Sequence, residues 1–504
     1  MRTAARSAFA LQYWCPCVFA LGISVLGAEW TQYRGPYFDG STRDSVRVDW
    51  NKTPPKTVWK VPLDPALSSL SASAGKVFTM VRRRVGSEDR EFLIALDGKT
   101  GRELWSTNLD LADYPDGGVG NDDGPRSTPT VEGDRVYVFS TYLRLHCLNR
   151  DTGALLWSRD FVAEFNAPVA HWQNASSPLL VGDLLLVNGN APGGRLFGIR
   201  KTDGTTAWRN HDDAMTQATP VFATIAGRPQ VVFFTQSGLV SVVPETGAQL
   251  WRHPFNFSTS TAASPVIAGD RVYCSAAYGV GAATVRIQDN GSSQSASQVW
   301  RTRGANQNHW ATSIEHEGYL YGIFGQSIVS LRCIDMANGQ QVWAQSGIGR
   351  GGIIKMGDRI LGLTESGDLI QVAFNSGRYE ELARFGAVRG KCWNIPIVSD
   401  GRIYARSTTE AVCLDIAASA PATPLQLLAG LRPDGGIEIV ATSSEGPIES
   451  SRAGRVNLLF SDSLESPAWN RVPMAPIAQD GKLLWREPTP LAPSRRYYRT
   501  SETP

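Results

Sequence analysis

A glycine-turn phrase that returns along the chain limits what this sequence can fold into. Gly101, Gly153, Gly204, Gly247 and Gly339 are followed, four residues later, by Trp105, Trp157, Trp208, Trp251 and Trp343. The surrounding stretches LDGKTGRELW, LNRDTGALLW, IRKTDGTTAW, VVPETGAQLW and IDMANGQQVW repeat as well. Self-similarity with a period of roughly 40–50 residues marks an array of one supersecondary unit, stacked so that neighbours bury each other's faces.

A second phrase counts the units independently. Gly75, Gly133, Gly182, Gly227, Gly269, Gly318, Gly357 and Gly401 each sit between short β-branched or aromatic runs such as KVFTM, RVYVFS and RIYARS. Glycine supplies the positive φ of a tight hairpin turn, so each reads as strand–turn–strand. The outer-strand aromatics match that count of eight: Trp59, Trp105, Trp157, Trp208, Trp251, Trp300, Trp343 and Phe385. A large ring at one place in every unit fills the wedge between neighbouring sheets. The two sets are out of step, because Trp59 precedes the first glycine unit and no such aromatic follows Cys413. The segment 57–63 is therefore expected to supply the outermost strand of the last sheet, joining the ends of the array and leaving no open edge. The expected fold is an all-β, eight-bladed β-propeller over residues 57–416, a span of 360 positions or 45 for each blade.

The flanks read differently. Residues 1–27 have a basic start at Arg2 and Arg6, an apolar run to Leu26 and a small-residue end, the pattern of a cleaved signal peptide. The run is short and contains Gln12 and Pro16, whereas a membrane span needs about 20 apolar residues. Residues 28–56 form an N-terminal extension. AASAPATP, residues 417–424, is a linker by composition, and 425–504 reads as a small β-sandwich-like module of short strands between Gly, Ser and Pro clusters.

Charge and cysteine usage narrow the function classes. The chain carries 49 Lys and Arg against 47 Asp and Glu; without the leader the balance is 47 against 47. A neutral chain without a basic stripe has no general electrostatic pull on nucleic acid, which is not an expected partner. Beyond the leader stand Cys147, Cys274, Cys333, Cys392 and Cys413, with no CxxC among them, which excludes zinc-ribbon and c-type haem readings. Cys147, Cys333 and Cys413 share a repeat position that Ala95, Gly198 and Ser241 fill elsewhere, so cysteine there reads as a small buried apolar residue. The histidines show no ligand-like spacing, and no metal site is expected.

The D-x-x-T-G-x-x-x-W phrase, together with the count of eight units, resembles the pyrroloquinoline-quinone (PQQ) repeat family of β-propellers. The opening WTQYRGPYFDG, Trp30 to Gly40, is similar to the W-x-x-[FY]-R-G-P segment ahead of the propeller in many exported bacterial PQQ-repeat proteins. That family includes quinoprotein alcohol dehydrogenases and the propeller subunit of the bacterial outer-membrane barrel-assembly machine. The resemblance covers residues 30–416 and speaks for fold, because the repeat motif is a packing motif. Its dehydrogenase members imply PQQ with calcium as cofactor, an adjacent Cys–Cys pair beneath it, and a Glu/Asn/Asp calcium set beside a catalytic Asp. No two cysteines after the leader are adjacent, and the calcium set has no matching positions here. No catalytic residue is carried over, and no cofactor is assured.

A propeller brings the loops leading into its innermost strands together on one face. Aligning the repeats reads that ring as SSLSAS (68–73), GPRSTP (124–129), NASSP (174–178), QATP (217–220), TAASP (261–265), NHWATS (308–313), GRGGI (349–353) and CWNIP (392–396). Most positions are small, which suits crowding near the axis. Insertions 107–127 and 160–176 are expected to rise on the same face, carrying Asp122, Asp123, His171, Trp172 and Asn174. The candidate ligand-binding set is Arg126, Asn174, His309, Trp310, Arg350, Lys391 and Trp393. Cationic forks match carboxylates and rings stack on planar systems, so this set favours a flat anionic ligand. A quinone tricarboxylate, a peptide and a sugar acid all meet that description. The competing role for the same residues is structural: satisfying buried loop carbonyls and filling the top of the channel.

The expectation is an exported, non-catalytic binding or scaffolding module of the cell envelope, periplasmic, cell-surface or secreted. Its partner would be an envelope protein, a peptide or a small anionic ligand. The alternative is a PQQ-dependent oxidoreductase holding the quinone where the inner strands begin.

Overall fold

A computed structural model of the chain describes residues 29–114, 124–259, 261–417 and, in the tail, 425–432, 436–443, 447–448, 456–461, 470–472, 476–487 and 497–502. Residues 1–28, which include the expected signal peptide, and the pair Asp122–Asp123 lie outside the described residues. The repeats fold as successive antiparallel sheets. Blades 1 to 7 occupy Ser71–Leu111, Thr130–Asp160, Leu179–Asn210, Val221–Pro254, Val266–Thr302, Ile314–Gln345 and Gly352–Gly386. The eighth is composite: strands Ile397–Ser399, Arg402–Arg406 and Glu410–Asp415 are completed by Lys56–Pro62. That strand pairs antiparallel with Glu410–Asp415, and Trp59 faces Cys413, so the ends close as the offset predicts. The hairpin-turn glycines all have positive φ, from 57° at Gly182 to 85° at Gly318.

The repeated phrase acquires its physical meaning at the blade junctions. Each outer-strand indole faces a small residue of the adjacent strand, Trp105 opposite Ala95, Trp157 opposite Cys147 and Trp208 opposite Gly198, with a β-bulge just before it. The indole then reaches the next blade. Trp59 donates to the Gly98 carbonyl at 3.0 Å, Trp105 to Arg150 at 3.0 Å, Trp157 to Lys201 at 3.2 Å and Trp208 to Pro244 at 2.8 Å. Its ring covers the phrase glycine of that blade. A Cβ on Gly101 would stand 2.8 Å from the Trp59 ring, and one on Gly153 would stand 2.5 Å from Trp105. Within one phrase, the glycine therefore receives the preceding blade and the tryptophan grips the following one.

Two junctions depart from this. Blade 5 replaces the phrase with a long hairpin, Gly281–Asp289 and Gln294–Thr302, so Trp251 turns inward and donates to Gln230 Oε1 at 2.5 Å. Gln230 in turn donates to Gln294 Oε1 at 3.0 Å, tying blades 4 and 5 by amides instead. In blade 7 the bulge sets Ala383, not Phe385, in the aromatic position opposite Gln371; Phe385 pairs with Leu369. The expected eighth ring is thus corrected. Trp50 of the N-terminal extension, only 4% exposed, joins the buried cluster containing Ala383, while its indole donates to the Arg47 carbonyl at 3.2 Å.

Cys147, Cys274, Cys333, Cys392 and Cys413 are buried and free, and burial pushes the Cys147 thiol up to about 11. The insertion 160–176 begins with a helical turn, Phe161–Phe165, capped by Asp160. In the tail, Gln426–Leu431, Ile437–Thr442, Lys482–Glu487 and Ile477–Gln479 form one sheet. Val456–Ser461, Asn470–Arg471 and Tyr497–Glu502 form a second, and the two share a core around Ile439 and Trp485.

Candidate functional site

The ring of small loop residues is held by its own hydroxyls. The Thr128 N–H donates to Ser177 Oγ at 2.9 Å, Ser177 N–H to Thr219 Oγ1 at 2.9 Å and Ser264 N–H to Thr312 Oγ1 at 3.0 Å. Each bond crosses from one blade to the next, so short Ser and Thr serve both as spacers and as links. Above this girdle, loops of every blade border an axial cavity of about 530 Å³. That volume is in the usual range of a small-molecule site.

A continuous aromatic arc forms part of the wall. Trp172 stacks on Tyr278 with centroids 5.6 Å apart and planes 17° apart. The Tyr278 ring meets His309 at 5.0 Å, His309 meets Trp310 at 4.1 Å, and Trp310 meets Trp393 at 4.5 Å. Polar bonds pin the same groups. His309 Nε2 and the Tyr278 hydroxyl are 2.9 Å apart, and the Trp393 indole donates to Glu365 Oε1 at 2.7 Å. Glu365 also accepts the Arg350 backbone N–H at 3.0 Å, binding loops 349–353 and 392–396 into one unit. Burial first, and then the Arg350 charge, push the His309 imidazolium down to about 4, so the ring is neutral near neutral pH.

Two guanidinium groups border the cavity. Arg126 donates to the Trp172 carbonyl and lies 5.5 Å from the Tyr114 ring centroid. Arg350 donates to the Gln326 carbonyl at 3.0 Å and stands 3.9 Å from Glu365 Oε1. Among the described residues no Asp or Glu lines the cavity, and none form a metal-binding group of three or more His, Cys, Asp or Glu. The wall is therefore cationic and aromatic.

Of the residues proposed from sequence, Arg126, His309, Trp310, Arg350 and Trp393 line this cavity. Asn174 does not: it is buried beside it, donating to the carbonyls of Phe139, Ser140 and Ser176 at 3.1–3.2 Å. Lys391 lies just outside the wall, its ammonium 4.6 Å from the Trp393 ring centroid. Sequence reasoning missed Tyr33, Tyr278, Gln217 and Asn394 in the wall, and Glu365 behind it. Asn394 is 6% exposed, and its amide atoms have no hydrogen-bond partner among the described residues. Tyr278 stands in the AAYGVG turn of blade 5, off the ring loops that repeat alignment picks out, where it adopts φ 58°.

The family described as outer membrane protein assembly factor BamB matches residues 90–322. The quinoprotein ethanol dehydrogenase of Pseudomonas putida is 33% identical over 119 residues, a match covering 23% of this chain and only 17% of that relative's length. BamB from Moraxella catarrhalis superposes with a TM-score of 0.50 at 15% identity, covering 72% of this chain and 98% of that one. Quinohemoprotein alcohol dehydrogenase from Comamonas testosteroni gives 0.52 at 13% identity, covering 80% and 83%. At these identities the structural likeness is one of fold. Among the described residues, no helix is long and apolar enough to cross a membrane.

Proposed function

Since this chain is a β-propeller of the PQQ-repeat, quinoprotein-like family, we propose that it is an exported, non-catalytic binding module of the cell envelope that holds a small aromatic anion in its axial cavity. The observation that carries this reading is the wall itself: two guanidinium groups and an arc of rings, with no carboxylate among its described residues. Arg forks pair with carboxylates, and planar ligands stack on rings. A neutral His309 bonded to Tyr278, and a Glu365 engaged by Trp393 and Arg350, favour holding a ligand over transferring its protons.

The quinone-dependent oxidoreductase is the second reading, favoured by the local identity to the Pseudomonas putida dehydrogenase. Its organic group fits in charge, since Arg126 and Arg350 would meet carboxylates and Trp310 and Trp393 would flank a planar ring system. Its calcium ion does not fit, because no described carboxylate faces the cavity to coordinate it. Coordination of calcium requires several oxygen ligands, carboxylates foremost.

Titration of the full chain with naphthoate, and with PQQ with and without Ca²⁺, separates the readings. Ligand at 100 times its Kd should stabilise the fold by roughly 2.7 kcal/mol, read as a raised Tm. Arg350→Ala and Trp393→Ala should each weaken naphthoate at least tenfold. Calcium-dependent PQQ binding with turnover of an alcohol would establish the oxidoreductase instead. No shift with any of these ligands would remove both readings.

A further inference from the structure

We propose that the segment Trp30–Gly40 is the floor of the axial cavity, and that Tyr33 on it sets the greatest length of ligand the site accepts. This rests on the binding reading for its ligand, but the floor stands on contacts of its own. The extension runs across the ring instead of around it. The Trp30 carbonyl accepts the Ala72 N–H of blade 1 at 2.8 Å, and the Thr31 carbonyl accepts the Val131 N–H of blade 2 at 2.7 Å. On the other side, Tyr33 lines the cavity and its hydroxyl lies 3.1 Å from Thr312 Oγ1 of the blade 6 loop. Arg34 donates to the Ser313 carbonyl of the same loop at 3.2 Å. Phe38 packs edge-on against Phe222 of blade 4 at 5.4 Å, and Ser41–Thr42 adds a parallel strand to Gly352–Met356 of blade 7. One short segment thus spans five of the eight innermost strands or their loops.

The segment is built to keep its shape. Arg34 is 4% exposed and also donates to the Asp39 carbonyl at 2.6 Å, closing the turn on itself. The Gly40 N–H donates back to the Arg34 carbonyl at 2.9 Å. Gly35, at φ 74°, lies under the Trp30 ring, where a Cβ would stand 3.2 Å away. These contacts account for every fixed position of the W-x-x-Y-R-G-P stretch except the proline. The sequence places the stretch outside the repeats, yet it meets the same space as the ring loops. A channel closed in this way has one mouth. The ligand enters and leaves on the loop face, and a polymer does not thread the ring.

The test uses the full chain and aromatic acids of increasing length: naphthoate, biphenylcarboxylate and terphenylcarboxylate. Wild type should bind the shorter members and discriminate against the longest at least tenfold. Tyr33→Ala should shift the preference toward the longer acids and reduce that discrimination at least tenfold, while Tyr33→Phe should leave it in place. Unchanged discrimination in Tyr33→Ala overturns the role of Tyr33. Backbone exchange decides the floor without any ligand. The Ala72 and Val131 amides should be strongly protected in wild type and exchange at least tenfold faster in Arg34→Ala. Should that variant fail to fold, wild-type protection alone decides. Rates typical of open loops at both amides would remove the floor, whether or not an acid binds. Protected amides with no acid bound would keep the floor and discard the binding reading.

Discussion

At the scale of single residues, one buried carboxylate stands out beside the blade 1–blade 2 junction. Glu91 is fully buried beside Asp110, held by the Thr141 hydroxyl, by the Thr141 N–H at 3.2 Å and by the Tyr114 hydroxyl at 3.1 Å. Burial, partly offset by those bonds, raises its carboxyl to about 7 from 4.5. A folded-state value above the unfolded one means that the native state holds the proton more tightly. Its contribution to stability is complete below the unfolded value and is lost as pH rises through about 7. The amount is on the order of 3 kcal/mol. Glu91→Gln should therefore gain stability relative to wild type between pH 5 and pH 8, measured as the difference in urea midpoints. A constant difference across that range would show that the carboxyl does not titrate there. Nothing in the sequence around Glu91 announces this, since REFLIALD reads as an ordinary strand. The burial comes from blade 2, through Thr141, fifty positions away.

At the scale of the repeating element, glycine has two separable roles. Gly133 and Gly153 both adopt positive φ, 58° and 72°. A Cβ on Gly133 would meet nothing within 4 Å, whereas on Gly153 it would drive into the Trp105 ring at 2.5 Å. Gly133→Ala should cost only the left-handed backbone term, about 1–2 kcal/mol. Gly153→Ala adds overpacking, a further 1–3 kcal/mol or so, and should separate blades 1 and 2. Equal losses of Tm in the two variants would contradict the junction described here. The phrase, the turn glycines and the closing strand were legible because each recurs at a fixed place, and periodicity carries its own alignment. The exceptions were not. Ala383 takes a position where Phe385 looked right because no glycine stands four residues ahead of it to mark the place, and Trp50 of the same buried cluster lies hundreds of positions upstream. The site divides in the same way. Arg126, His309, Trp310, Arg350 and Trp393 stand on ring loops that alignment picks out. Tyr33 and Glu365 stand off that ring, and Asn174 sits on it but turns to backbone carbonyls, a direction no alignment gives.

At the scale of the whole molecule, closure is the decisive contact. Without Lys56–Pro62 the strand Glu410–Asp415 would present an unpaired edge, a template for association. A chain starting at residue 64 should lose at least 10 °C in Tm and form dimers or larger species, read by light scattering after size exclusion. A monomer with the wild-type Tm would show that the ring holds without its clasp. Closure also orders events in time. Trp59 finds Cys413 only after more than 350 further residues have been made, so the first strand of the ring to leave the ribosome is among the last to find its partner. Until then it lacks its native partner. A chaperone that shelters strands during synthesis or transport would find its natural client in that waiting segment.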